Sequence, residues 1–185
     1  MNIPTLPSSR DVLSDDPWMK IERATGQWFV VHTKSRQEKA FSQTLNAMSI
    51  AHFLPLIIRT SYHGRRKFNA QVPLFPSYVF LRGELDDAYL ADRTKRIASV
   101  IPVVDQEQIS NELRNLYLAL TRKAPLDPFP YLKKGIRVEV RSGPFEGIQG
   151  IIEDRSKNDR LILQIETLGR ATSLEIDGSL LEPLE

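Results

Sequence analysis

The chain contains no cysteine. That excludes disulfides, thiolate nucleophiles and cysteine-ligated zinc or iron–sulfur centres, and it suits a reducing compartment. No apolar run reaches the roughly 18 residues that a membrane helix needs, so no membrane association is expected. Pro4, Pro7 and Asp11 stand where a secretion signal needs an apolar stretch, and the expected location is the cytoplasm. Catalytic signatures are also missing: there is no nucleophile elbow, phosphate-binding glycine loop or dinucleotide fingerprint. His32, His52 and His63 lack metal-ligand spacing and have no evident carboxylate partner. The sequence therefore predicts a non-enzyme with no metal and no cofactor.

What is present is an ordinary globular composition, 41% hydrophobic and 26% charged over 185 residues, enough for one domain or two small ones. The net charge of +2 hides an uneven distribution. Residues 28–122 hold 13 basic and 8 acidic side chains, whereas residues 123–185 hold 9 and 11. Polyanion contact is expected of the middle segment and not of the C-terminal one.

The most apolar and aromatic stretch is Pro73-Leu74-Phe75-Pro76-Ser77-Tyr78-Val79-Phe80-Leu81. Its length and composition predict a strand from Ser77 onward, with Tyr78 and Phe80 on one face and Val79 and Leu81 on the other. Two apolar faces require two covers: another layer of the protein, or a partner.

Around it the chain reads in order. Residues 1–27, with three prolines and no periodicity, predict a disordered extension in which only Trp18 is suited to docking. Trp28–His32 is a strand signal. Ser35-Arg36-Gln37-Glu38 has capping-box spacing before a helix whose stripe is Phe41, Leu45 and Met48. His52–Ile58 predicts a second strand, Arg59–Lys67 a basic hairpin tip turning at Gly64, and the stretch from Pro73 the return strand. A short helix over residues 85–95 with Leu85, Ala88 and Tyr89 inward, a strand over 97–104, and a helix capped near Asp105 with Ile109, Leu113, Leu116 and Leu120 inward complete a β-α-β-β-α-β-α order. The fold class is α+β. Pro125, Pro128 and Pro130 predict a linker over 123–134. Residues 135–185 then hold short strands (137–141, 150–154, 161–167 and 172–176), punctuated by turns such as Lys157-Asn158-Asp159, as in a small all-β barrel of SH3 type.

The residues from Trp28-Phe29-Val30-Val31 through Pro73-Leu74-Phe75-Pro76-Ser77-Tyr78-Val79-Phe80 resemble the NGN domain of the NusG family of transcription elongation factors. Gly143-Pro144-Phe145-Glu146-Gly147-Ile148-Gln149-Gly150 and Leu168-Gly169-Arg170-Ala171-Thr172 resemble its KOW domain. The likeness covers residues 28–185 in the family's order, with residues 28–122 as NGN and 135–185 as KOW. Ser77 stands where the family usually has glycine, and Leu168 where it often has phenylalanine. The PLFP-x-Y form is nearer to RfaH-like specialised paralogues, whereas the KOW half is similar to ordinary NusG.

The resemblance implies roles. Leu54, Phe75, Pro76, Tyr78 and Phe80 would dock on the clamp helices of the RNA polymerase β′ subunit; periodicity alone reads the same side chains as core. Lys34, Arg36, Lys39, Arg65, Arg66, Lys67, Lys95 and Arg96 would lie beside non-template DNA near the bubble, where a plain solvated face is the alternative; Gln37 and His32 are candidates for reading bases. Phe145, Leu168, Gly169 and Arg170 would meet a second partner, Rho or the ribosome. A monomer that modulates pausing or termination is expected. The competing reading is a KOW-type RNA-binding or ribosome-associated protein, and the acidic excess of residues 123–185 counts against it, because RNA affinity rests largely on phosphate neutralisation.

Overall fold

A computed structural model describes residues 17–153 and 159–184. The extension expected over residues 1–16 and the turn at 157–158 lie outside them. The elements are α1 (Pro17–Arg23), β1 (Gln27–Thr33), α2 (Glu38–Ala47), β2 (Ala51–Phe53), β3 (Leu56–His63), β4 (Arg66–Pro73), β5 (Tyr78–Gly83), α3 (Leu85–Asp92), β6 (Ile97–Pro102) and α4 (Gln106–Thr121), then β7 (Asp127–Phe129), β8 (Ile136–Val140), β9 (Gln149–Ile152), β10 (Arg160–Ile165), β11 (Arg170–Glu175) and β12 (Leu181–Pro183). The class is α+β, and every strand pairing is antiparallel. The chain divides into two units: Met1–Leu54 with Ser77–Pro102, and Pro55–Pro76 with Val103–Glu185.

The first unit is built on a four-stranded sheet in the order β2-β5-β1-β6. Alternation sends Phe29, Val31, Val79 and Leu81 to one face, where Phe41 and Leu45 of α2 and Ala88 and Ala91 of α3 cover them. The α2 stripe stops one turn short of expectation, because Met48 is its exposed C-cap. In α3 the expected inward Leu85 and Tyr89 are exposed; the two alanines face the sheet and let the helix approach closely. The other face carries Trp28 and Phe80, with Phe53 of the neighbouring strand. Its cover is α1. The Trp18 ring lies 6.3 Å from Trp28 and meets Phe53 edge-on at 5.8 Å, and Ile21 is buried beside them in sequence. The disordered reading therefore fails for residues 17–23. Two large apolar residues at i and i+3 make one buried helical face, a signal too short to register as periodicity.

In the second unit β3 and β4 form a two-stranded ribbon of their own, closed by a two-residue turn in which Gly64 has φ 61°. The return strand is thus Arg66–Pro73, not the apolar stretch, which enters the four-stranded sheet as β5. The predicted single strand over 52–58 is likewise split, β2 ending at Phe53 and β3 starting at Leu56, with Pro55, which has no N–H to donate, between them. Helix α4 starts at Asp105, whose side chain accepts from the Gln108 N–H at 2.8 Å, and buries Ile109, Leu113, Leu116 and Ala119; Leu120 is only half-buried. The remaining strands make a six-stranded sheet in the order β12-β8-β9-β10-β11-β7. The proline-rich segment is more than a linker, for Asp127–Phe129 pairs with β11 and Ala124 and Leu126 are buried. Pro128 is accommodated because β7 is the sheet's edge, where a missing N–H costs no ladder bond.

Candidate docking and nucleic-acid surfaces

The apolar stretch presents less surface than its sequence suggests. Phe80 is fully buried, with its ring 6.4 Å from that of Phe53, and Phe75 is only 5% exposed. Neither offers a partner a face, so the expectation that they anchor polymerase is corrected to a core role. Leu54 is half-buried and packs against the core beneath α2 and α3. Pro76 is exposed. Tyr78 remains: it is half-buried, on the face opposite that core, with its ring 5.1 Å from His32 in the directly paired position of β1. A ring held by a neighbouring ring but partly open to solvent loses little entropy on meeting a partner.

The segment before Tyr78 is fixed from both sides. The Ser77 N–H donates to Glu38 Oε1 at 2.7 Å, and the Ser77 carbonyl accepts from the Thr33 N–H at 2.8 Å. Glu38 thereby leaves the predicted capping box with Ser35 unmade; the N-cap of α2 is Gln37, which makes no side-chain cap.

At the same end of the sheet, the loops after β1 and before β6 are joined. The Lys34 N–H donates to the Arg96 carbonyl at 2.8 Å, and the Arg96 guanidinium donates to Gln37 Oε1. Lys34 and Arg36, together with Lys95 and Arg96, are thus carried on two connected loops; Lys34, Arg36, Lys39 and Lys95 are exposed and Arg96 is half-buried. Gln37, a candidate base reader, is committed to Arg96. Arg65, Arg66 and Lys67 are exposed at the ribbon tip in the second unit. His52, by contrast, is committed to the fold. Its Nε2 lies 2.7 Å from Ser42 Oγ and its Nδ1 2.9 Å from the Ile50 carbonyl, and burial lowers its pKa. Among the described residues no cluster of His, Asp or Glu has the arrangement to hold a metal ion.

In the C-terminal sheet Leu168 and Phe145 are half-buried, and Gly169 and Arg170 are exposed. Gly169 adopts φ 58°, the left-handed geometry that lets the β10–β11 hairpin reverse after the turn at Glu166–Leu168. The sequence reading missed that this hairpin is tied to α4. The Glu166 N–H donates to the Glu112 carboxylate, at 3.3 Å to Oε1 and 3.2 Å to Oε2, and Gln108 Nε2 donates to both carboxylates, at 3.0 Å to Glu112. Asn115 Oδ1 accepts from the Gln149 N–H at 2.9 Å. Nothing in the sequence spacing announces these contacts, which join residues up to 58 positions apart.

The geometry thus comprises one unit built on a four-stranded sheet with exposed basic loops, and a second that holds the basic β3–β4 ribbon, α4 and a six-stranded antiparallel sheet. The family profile described as "Transcription termination factor nusG" matches residues 26–116. Curated relatives are similar over most of both chains. The transcription termination/antitermination protein NusG of Rickettsia conorii is 24% identical over 172 residues, 84% of this chain and 89% of that one; that of Yersinia pestis is 26% identical over 178, with shares of 84% and 95%. A solved structure described as "Domain interaction in Thermotoga maritima NusG" covers 86% of this chain and 97% of its own at 22% identity, with a TM-score of 0.41. The chain is thus similar to the NusG family, by profile over residues 26–116 and by its curated relatives over most of its length. No helix among the described residues is long and apolar enough to cross a membrane.

Proposed function

We propose that this protein is a transcription elongation factor that binds RNA polymerase through its first unit and modulates pausing or termination. The observation that supports this reading most directly is Tyr78. It is a half-buried ring stacked on His32, on a turn fixed by Glu38 and Thr33, in the segment by which the family docks on the β′ clamp helices. In this reading Lys34, Arg36, Lys39, Lys95 and Arg96 run beside non-template DNA, with Arg65, Arg66 and Lys67 as further phosphate contacts. The loop around Phe145 and the Leu168-Gly169-Arg170 hairpin recruit a second partner, Rho or the ribosome, and no catalysis is involved.

The test is retention on immobilised core RNA polymerase without nucleic acid. The wild-type chain is retained, and Tyr78→Ala, which removes a partly open ring and leaves the buried Phe80 in place, weakens binding by about 2 kcal/mol, the range of an aromatic hot spot. Equal retention of Tyr78→Ala at an unchanged melting temperature removes Tyr78 from the interface, and a wild-type chain that polymerase does not retain ends the proposal.

A further inference from the structure

The β3–β4 ribbon carries a feature that its basic tip does not explain. Directly paired residues of an antiparallel ribbon share a face. The register pairs Ile58 with Gln71, Thr60 with Asn69 and Tyr62 with Lys67, so these six form one face. A 2.9 Å hydrogen bond from Thr60 Oγ1 to Asn69 Oδ1 runs along it. All six side chains are exposed, and Tyr62 is 68% exposed. A face made only to keep the protein soluble would carry charge of both signs. This face carries two amides, a hydroxyl, a phenol, one lysine and the exposed Ile58, and residues 56–73 contain four cations and no carboxylate.

We propose that this face reads base edges in the major groove of duplex DNA. The proposal rests on the reading of Arg65, Arg66 and Lys67 as phosphate contacts and adds to it the element that distinguishes sequence. The chemistry is that of direct readout. An amide presents a donor and an acceptor side by side, the pattern that matches adenine N7 and N6, and hydroxyls and lysine supply single hydrogen bonds to other edges. Asn69 Oδ1 accepts from Thr60, which sets the plane of its amide while a second lone pair and both N–H donors stay available. Size selects the ligand: a two-stranded ribbon fits the roughly 12 Å major groove of B-DNA. The deep, narrow major groove of A-form RNA admits no such element. Eight-residue strands span about 26 Å, or roughly eight base pairs at about 3.4 Å each. The absence of carboxylates removes the repulsion that would hold such a ribbon away from a polyanion.

The experiment uses the full chain and a pool of fluorescent 20-bp DNA duplexes with a randomised centre. Bound duplexes are sequenced, and anisotropy titrations compare an enriched duplex with a shuffled one over a range of salt. The expected result is an enriched motif bound about tenfold more tightly than its shuffled form, the scale of one good amide–base pair. Thr60→Val and Asn69→Ala, both at exposed positions, bring that ratio toward one and leave the salt slope unchanged. Arg65→Ala with Arg66→Ala weakens all duplexes alike and lowers the log–log salt slope by about 0.9 for each phosphate that is no longer neutralised. A pool that emerges without enrichment, a ratio that survives both face variants, or tighter binding of the same sequence as single-stranded DNA or duplex RNA overturns base reading and leaves the tip reading standing. An unchanged salt slope in the double arginine variant overturns the tip reading, and base reading with it.

Discussion

Ser77 and Glu38 meet across 39 positions of sequence: the Ser77 N–H donates to Glu38 Oε1 at 2.7 Å. Glu38 is the first residue of α2, where a carboxylate also complements the positive end of the helix. Ser77 holds φ 69°, a left-handed conformation that a side chain with Cβ adopts only at a cost. The contact therefore keeps a strained residue in the position that aims Tyr78.

Two substitutions separate the strain from the bond. Ser77→Gly keeps both backbone hydrogen bonds and removes the Cβ penalty, and stability rises by about 0.5–1 kcal/mol once the greater freedom of glycine in the unfolded chain is set against it. Glu38→Ala leaves the partly buried Ser77 N–H without its acceptor and costs about 1 kcal/mol. Urea unfolding measures both. A lower midpoint for Ser77→Gly would show that the serine side chain contributes more than its backbone conformation costs.

The same contact shows why parts of the fold were legible in the sequence and others were not. Local signals served where neighbours in sequence decide the outcome: the Trp28–His32 strand, the Phe41 and Leu45 stripe, the Asp105 cap and the turn at Gly64 all form. The capping-box spacing at Ser35 was a true local pattern overridden by a distant backbone donor. Alternation correctly gave both faces of β5 as apolar, but it carries no information about what covers each face. Hence Phe80 read as a docking residue when it is buried beside Phe53, on the face where Trp18 packs on Trp28 and Phe53. The Thr60 and Asn69 face of the ribbon was hidden for a related reason: its members become neighbours only through the pairing register. The basic residues stood out by charge and by the family resemblance, neither of which shows which of them touch; the link from Lys34 and Gln37 to Arg96 is a product of the tertiary fold.

Helix α1 is expected to be integral to the first unit. Trp18 is 6% exposed and packs on Trp28 and Phe53. Trp18→Ala removes a large buried ring and costs about 3–5 kcal/mol if the site does not collapse. Thermal unfolding of the full chain registers the loss, and Trp18→Phe recovers much of it because the aromatic contact with Phe53 survives. A melting temperature that Trp18→Ala leaves unchanged would show that α1 detaches in solution and that the second sheet face is open.

The contact between α4 and the β10–β11 hairpin is expected to weaken as pH rises. Burial is the main cause that raises the Glu112 pKa from 4.5 to about 7, and the nearby Glu166 charge adds to it; the hydrogen bonds from Gln108 and the Glu166 N–H, and the charge of Arg137, act in the opposite direction. The folded chain therefore holds a proton that the unfolded chain releases near 4.5. Its contribution to stability is full below that value and is lost as pH rises through about 7. His52 works with the opposite sign in the other unit. Burial lowers its pKa below 6.5, so its contribution is present above 6.5 and falls on acidification. Comparing wild type with Glu112→Gln isolates the carboxylate, since His52 is common to both. The variant keeps a neutral side chain of the same shape at every pH. From pH 5 to pH 8 it should lose less stability than wild type and be the more stable of the two at pH 8. In the wild-type chain, two-dimensional NMR over the same range should show amide shifts near Gly169 and Arg170 moving with a midpoint near 7, because ionisation puts a partly buried charge on Glu112 beside the Glu166 carboxylate at the base of their hairpin, while the Glu166 N–H stays its donor. Parallel stability curves for the two chains, with no movement of those amides, would mean that Glu112 ionises without consequence for the hairpin and that partner recruitment there is independent of α4.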